Sequence, residues 1–327
     1  MNWLDMQGQQ RNYVLALDFG GTKLAAGIVD LHTGRIVVQK RFATDHTSAQ
    51  KNLEQMIQAG KELLGEPTSE TILGVGISFG GPIEPDRRQI IRSMHVPGWE
   101  NIALPDIISK AFQLPAIMDN DANVASLGEW RFGAGQGTNH MVYIQVSTGI
   151  GAGLILNSRL YRGTGLAGEF GHLTVMIDGP PCTCGKRGCV ESFAAGWAIA
   201  RDGRQAVLDY GDKTLLYSQV EGNPDLVTAR HVIEGARAGD LVARSIVSQA
   251  FTFLGIGIAN ASNLLGPELV VLGGGVAKAG DLILQPIMSA LDGHLFPPLS
   301  RPHLTFSILG DEATLFGAAA LVEQELN

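Results

Sequence analysis

The sequence predicts an α/β fold in two lobes, each built from a strand hairpin with a third strand, then helices alternating with further strands. Three observations carry this. At 327 residues the chain is longer than one small core requires. Apolar strand-like runs alternate with stretches of helical period. The same order of elements around a glycine turn occurs twice, near Gly20 and again near Gly149, as in a structural duplication.

The first unit opens with the apolar run Tyr13 to Phe19, which ends on Asp18 and the pair Gly20-Gly21. A second run, Leu24 to Val29, and the turn Leu31-His32-Thr33-Gly34 predict a hairpin continuing into a third strand. Leu53, Met56, Ile57, Leu63 and Leu64 recur at helical spacing with Ser48 as cap. A strand over Thr71 to Ser78, a helix with Pro105 in its first turn, a short strand Ala116 to Asp119 and a helix Ala122 to Phe132 complete the unit. The second unit begins at Met141 to Val146 and turns through Gly149-Ile150-Gly151-Ala152-Gly153 into Leu154 to Asn157 and Leu160-Tyr161. Helices at Thr228 to Ala238 and Asp240 to Leu264, strands Leu269 to Leu272 and Leu304 to Leu309, and a last helix Glu312 to Leu326 follow. The expected division is a small lobe over 1–122, with the helix 311–327 packing on it, and a large lobe over 123–310, facing each other across a cleft.

Composition narrows the function classes. Hydrophobic residues at 45% supply packed interiors, and 42 glycines imply close backbone approaches. Twenty-four basic against 32 acidic residues give a charge of -8 with no basic cluster, which argues against nucleic acid as a partner. Met1 to Arg11 lacks the apolar core of a secretory signal, and the uncharged run Ser245 to Pro267 carries Gln249, Asn260 and Asn263, so it reads as a buried helix and turn. A cytoplasmic protein with no membrane partner is expected.

Three glycine sites suit a nucleotide, two of them its phosphates and the third its base and ribose. In Asp18-Phe19-Gly20-Gly21-Thr22-Lys23, hairpin N–H groups are placed to face phosphate oxygens, Thr22 adds a hydroxyl, and Asp18 is placed to position Mg²⁺ through water. Alone, such a hairpin is more often only a structural turn. Thr148, Gly149 and Gly151 repeat its chemistry in the second unit, and Gly273-Gly274-Gly275 directly follow an apolar strand, where bare backbone can accept a flat base and ribose or simply turn tightly. No GxxxxGK[ST] sequence is present, which excludes an ordinary P-loop. The three cysteines, Cys182, Cys184 and Cys189, fall within eight residues, and with His172 they make a Cys₃His set of the closed, structural zinc type, the alternative being a buried cysteine cluster with no metal.

Together these residues resemble the ROK family of sugar kinases and repressors, within the actin-like, hexokinase-like ATPase superfamily, over nearly the whole chain. The most specific stretch runs from Val146 through Gly163, Gly168 and Glu169-Phe170-Gly171-His172 into Cys182-Thr183-Cys184-Gly185-Lys186-Arg187-Gly188-Cys189-Val190-Glu191. Outlying matches are Asp18 to Lys23, Asn120-Asp121-Ala122-Asn123, Gly273 to Gly275, Gly310-Asp311-Glu312 and Gly317-Ala318-Ala319. Within Met94 to Trp99, His95 stands where many relatives carry Asn, a departure that bears on sugar preference.

The resemblance implies a two-lobed, ribonuclease H-like fold of duplicated βββαβαβα units, and transfer of a phosphoryl group from ATP to the 6-hydroxyl of a hexose, glucose first. N-acetylmannosamine, N-acetylglucosamine and fructose kinases share the same motifs. Asp121 begins a helix, where an aspartate is ordinarily a cap, and the family's Asn-Asp pair makes it instead the carboxylate that accepts the hydroxyl proton. The same match passes over neighbouring Asp119. Asn120, Glu169, His172 and Glu191 form the implied sugar set, although either glutamate alone reads as a solvated surface group. One ring nitrogen of His172 would ligate zinc and the other face the sugar. Family repressors place a winged helix-turn-helix ahead of the first phosphate strand, where about a dozen residues stand here. A sugar-sensing regulator that binds sugar without turning over nucleotide is the non-enzyme alternative. A homodimer or homotetramer is the implied assembly.

Overall fold

The structure is a computed structural model that describes residues 13–65, 72–93 and 95–326. The reading of Met1 to Arg11, the strand start at Thr71, and Met94 lie outside the described residues. Two compact units form. One takes the described parts of Met1–Asn139, Gly153–Ala167 and Ile308–Asn327, and the other takes His140–Ala152 and Gly168–Ser307.

In the first unit, β1 (Tyr13–Phe19), β2 (Lys23–Asp30) and β3 (Arg35–Ala43) form an antiparallel meander. Helix α1 (Ala49–Leu64) follows, and the Ser48 side chain accepts the Lys51 N–H at 3.3 Å, as the sequence predicts for its cap. Then come β4 (Ile72–Phe79), α2 (Leu104–Phe112), β5 (Ala116–Asn120) and α3 (Asp121–Phe132). The sheet order is β3-β2-β1-β4-β5, with β1, β4 and β5 mutually parallel. Every residue of β4 is buried, as expected of a central strand covered on both faces. Leu15, Leu17, Ile28, Met56 and Ile77, all fully buried, form the heart of this core.

The second unit holds β6 (Met141–Val146) and the start of β7 (Ile150–Leu156), whose far end pairs with β8 (Arg159–Tyr161). Helices α4 (Glu191–Ala194), α5 (Gly196–Tyr210), α6 (Leu215–Gln219), α7 (Ala229–Arg237) and α8 (Leu241–Leu265) precede β9 (Leu269–Gly273), α9 (Asp281–His294) and β10 (His303–Phe306). The chain closes with α10 (Ala313–Leu326), which belongs to the first unit, as the sequence predicts for its last helix. This second sheet runs β8-β7-β6-β9-β10, the same order as β3-β2-β1-β4-β5, so the predicted duplication is present strand for strand. Helix α8 has the length and composition to cross a membrane, yet Ala250, Leu254 and Ile258 on one face are buried, and it packs on α9 and α7.

Three expectations change. The unit boundary falls at 139/140 rather than 122/123, because α3 lies along α10: a side chain on Gly317 would run into the Val124 carbonyl, and one on Gly128 into that of Ala313. The glycine stretch 149–153 is not one long turn. Gly151 and Gly153 lie within β7, where Gly153 admits the close approach of Ser126. Helices α5 and α9 occupy stretches where the sequence reading assigned none, and Pro286 sits inside α9.

Candidate functional site

In the first unit, the parallel strands β1, β4 and β5 end in register. Asp18 pairs with Ser78 and Ser78 with Asp119, and one step on Phe19 pairs with Phe79 and Phe79 with Asn120. Candidate residues from two separate stretches of sequence therefore share the carboxyl edge of one sheet, the ordinary place for ligand chemistry in open α/β sheets. Asp18 is buried, its Oδ2 accepts the Thr314 hydroxyl at 2.9 Å, and its Oδ1 has no hydrogen-bond partner among the described residues. Burial pushes its carboxyl above the usual carboxylate range, against the opposing pull of the Ser78 and Thr314 hydroxyls. A buried carboxylate oxygen left unpaired suits a hard, oxygen-seeking cation such as Mg²⁺.

The hairpin after Asp18 closes through Gly20, whose N–H donates to the Lys23 carbonyl at 3.1 Å. That N–H is thus spent on the turn, and among the described residues Gly21 and Thr22 at the tip keep theirs for an anion. The Thr44 hydroxyl holds the Gly20 carbonyl at 2.9 Å, while Lys23 is exposed and lies 3.4 Å from Asp311. The His95 imidazole lies directly against Gly21 and excludes any side chain there. His95 thus belongs to the hairpin as much as to any sugar contact.

Asn120 and Asp121 stand where β5 becomes α3. The Asn120 side chain accepts the Asn123 N–H at 2.9 Å and so caps the helix, while Asp121 Oδ1 accepts the Ala122 N–H at 2.9 Å. Asn120 also carries an amide NH₂ able to donate, and the Asp121 carboxylate is held in the positive field of the helix N-terminus.

In the second unit, His172, Cys182, Cys184 and Cys189 bring one donor atom each within 4.8 Å of one another. Cys182 Sγ lies 3.7 Å from His172 Nδ1 and Cys184 Sγ lies 3.8 Å from Cys189 Sγ. A tetrahedral ion at normal Zn–S and Zn–N lengths separates two sulfurs by about 3.8 Å and sulfur from nitrogen by about 3.6 Å, so the donor set fits a metal. It does not fit a disulfide, whose sulfurs lie about 2.05 Å apart. Gly185 (φ 87°) and Gly188 (φ 68°) take left-handed conformations that wrap the chain around this centre. In the metal-free protein burial pushes the Cys189 thiol up to about 12 and raises that of Cys182, while the Lys186 backbone N–H lowers that of Cys184.

The other ring nitrogen, His172 Nε2, lies 3.8 Å from Glu169 Oε2, and the Glu169 side chain is 60% exposed. Glu191 differs from an exposed glutamate: it is 8% exposed, its Oε2 accepts the Ile150 N–H at 3.0 Å, and its Oε1 accepts the Thr183 hydroxyl at 3.0 Å. Each oxygen keeps further lone pairs for a ligand.

Thr148 and Gly275 line one cavity of the second unit, about 710 Å³ in volume. Of the other two glycines of that run, Gly273 is stripped of a side chain by the Tyr143 ring, and Gly274, with φ 86°, packs on the Val146 backbone. The cavity also holds residues that the sequence reading missed: Trp197, Val227, Ile233 and Val276 as apolar walls, with Arg204 and Lys278 as charges. They arise from α5, the segment before α7, α7 itself and the turn after β9, and no local motif joins them. Apolar walls with a few charges beside a glycine turn suit a base, ribose and phosphate chain.

The model of the ROK family matches residues 14–325. This chain belongs to the ROK family. It is 34% identical over 321 residues to the glucokinase of Halalkalibacterium halodurans, covering 96% of both chains. Among solved structures, the ROK hexokinase of Thermus thermophilus superposes with a TM-score of 0.83 at 34% identity, over 96% of this chain and 99% of that one. The ROK glucokinase of Streptomyces griseus, solved with glucose and AMPPNP, gives 0.80 at 34% identity, over 95% and 99%. The fold is thereby that of the ROK hexokinases, as the sequence motifs imply.

Proposed function

We propose that the chain transfers the γ-phosphoryl group of ATP to the 6-hydroxyl of a hexose, with glucose the leading acceptor. One observation carries the reading. His172 turns Nδ1 to the cysteines and Nε2 to the exposed Glu169, so a metal-braced ring presents a polar nitrogen beside a carboxylate able to accept sugar hydroxyls. Glucokinase relatives of the same length at about a third identity support it.

In this reading Asn120 donates its amide to a sugar hydroxyl, and Glu169, His172 and Glu191 fix the rest of the ring. Asp121 accepts the proton of the 6-hydroxyl as the oxygen attacks phosphorus. The Gly21-Thr22 tip and the Thr148-Gly149 turn donate N–H groups to phosphate oxygens, and the cavity walled by Trp197 and Ile233 takes the base. Asp18 would hold Mg²⁺ through water, and His172 with Cys182, Cys184 and Cys189 would hold zinc. Mg²⁺ when bound neutralises phosphate charge, and zinc stiffens the sugar wall.

The test is ADP release across a panel of glucose, N-acetylmannosamine, N-acetylglucosamine and fructose, with Asp121→Ala in parallel. Glucose should give the highest kcat/KM, and Asp121→Ala should lose turnover by orders of magnitude while still binding nucleotide. Sugar binding with no ADP release for any sugar would instead make the chain a sugar-sensing regulator.

A further inference from the structure

Asp119 is a buried carboxylate, 2% exposed, that the chemistry above does not use. Its Oδ1 accepts both the Asn120 N–H at 2.8 Å and the Asn123 side-chain amide at 2.9 Å, and its Oδ2 accepts Arg162 Nε at 2.6 Å. Arg162 Nη2 in turn lies 3.0 Å from Glu325 Oε1, and Glu325 pairs with both terminal nitrogens of Arg87 at 3.0 and 3.3 Å. Arg162, after β8, and Arg87, in the loop after β4, thus reach this carboxylate on β5 directly, and the end of α10 joins through them.

We propose that Asp119 and Arg162 are positioning residues that set the direction of the Asp121 carboxylate and the Asn120 amide; this rests on Asp121 being the proton acceptor. Asp119 grips the residue before Asp121 by its backbone and the residue two after it by its side chain. With Asn123 N–H capped by Asn120 and Ala122 N–H by Asp121 itself, the whole turn from 119 to 123 is tied down on both sides of the reacting group. Arg162 fixes the grip from outside, and its own carbonyl accepts the N–H groups of Gly165 and Ala167 at 2.7 and 3.1 Å, which makes it a rigid part of its loop.

Stability alone is a poor reason for such a pair. Burying two charges costs desolvation that their attraction only balances, and apolar replacements of similar volume commonly do as well. What an ion pair with shared hydrogen bonds adds is direction, and an error of about 1 Å at a reacting group costs roughly 100-fold in rate.

The test is a double-variant cycle in the full chain with Asp119→Asn and Asp121→Asn, singly and together, reading kcat, both KM values and the thermal midpoint. Asp119→Asn should lower kcat roughly 10- to 100-fold with the KM for ATP changed by less than about twofold. In the Asp121→Asn background the same change should have no further effect on kcat, since there is no carboxylate left to aim. Arg162→Lys, which keeps the charge and loses the Nε–H, should move kcat in the same direction even if Asp119→Asn folds poorly. An inactive Asp121→Asn beside an Asp119→Asn of normal kcat would overturn the positioning role alone. So would a loss that persists undiminished in the double variant. Normal turnover in Asp121→Asn would overturn the reading of Asp121 and this inference with it.

Discussion

Glu191 Oε2 accepts the Ile150 N–H at 3.0 Å, so the residue that follows the cysteine element also holds the first residue of β7. Its other oxygen takes the Thr183 hydroxyl, and a side chain on Gly149 would collide with the carboxylate. One buried side chain therefore ties the cysteine element to the Thr148-Gly149 turn. Glu191→Ala leaves a buried N–H unpaired, at a cost of about 1–3 kcal/mol. It should raise the KM for sugar and for ATP together. A change in sugar KM alone, with ATP KM and thermal midpoint untouched, would show that the link transmits nothing.

Metal removal should act through the same element. With Cys189 and Cys182 holding their protons in the metal-free protein at neutral pH, zinc uptake must displace them. Titrating zinc into chelator-treated protein in weak buffer should release about two protons per ion from these two thiols. Elemental analysis of the untreated protein should give about one zinc per chain. Chelation should lower the thermal midpoint and abolish sugar binding, and readdition of zinc should restore both. A chelated protein that still binds sugar normally would remove the metal from the sugar wall.

Asp18 predicts a trade between stability and turnover. Its carboxyl in the folded protein titrates above the ordinary value of 3.8, so the fold keeps a proton that the unfolded chain has released. Stability of the ligand-free protein contributed by this group is therefore full below that ordinary value and is lost as pH rises through the raised one. Asp18→Asn removes the penalty and keeps an acceptor for Thr314. It should stabilise the ligand-free protein at neutral and alkaline pH and flatten its stability from acid to alkaline pH. It should also abolish Mg²⁺-dependent turnover. Thermal midpoints across that pH range, without nucleotide, provide the check.

What the sequence made legible follows from how local each feature is. The meander from Tyr13 to Ala43, the Ser48 cap and the cysteine element are each written within a few dozen residues, and each stands where the sequence places it. Helix α9 was hidden because Pro286 and Gly293 oppose helix formation locally, and it forms by packing on α8, which a linear reading does not see. In α5, Gly203 has a comparable reason, since a side chain there would meet Val232 and Val227. The glycines of β7 misled in the opposite direction. Gly153 is small because α3 presses on it, not because the chain turns there. The cavity walls from Trp197 and Ile233 needed the fold before they could be found, because α5 and α7 meet only in three dimensions.

The crossing of α3 on α10 gives a further test, because α3 begins at Asp121. Gly317→Ala would drive a methyl group into the Val124 carbonyl, and the helices must separate to admit it. The strain should cost about 1–3 kcal/mol in a thermal or urea denaturation. Because α3 carries Asp121 at its first turn, kcat should fall more than either KM rises. Gly293→Ala, on the far part of α9 with open space around it, is the control: it should raise stability by up to about 1 kcal/mol and leave kcat near that of the parent.

Trp197 decides whether the second unit's cavity is where the base sits. Its indole N–H is buried and has no hydrogen-bond partner among the described residues, and Arg201 lies over the ring at 5.6 Å. Its neighbours in the cavity wall include Thr148, Ile233 and Gly275. A base entering this cavity meets an aromatic wall, and such contact is worth about 0.5–1.5 kcal/mol beyond simple burial. Trp197→Ala should therefore raise the KM for ATP by roughly tenfold or more, since burial of the base is lost as well, while the KM for sugar stays within about twofold. Trp197→Phe keeps the apolar face and should recover most of that loss. With the other tryptophans replaced by phenylalanine, a non-hydrolysable ATP analogue should change the remaining indole emission in a saturable way. An unchanged emission at saturating analogue, together with a normal ATP KM in Trp197→Ala, would move the base out of this cavity and leave its apolar walls without a ligand.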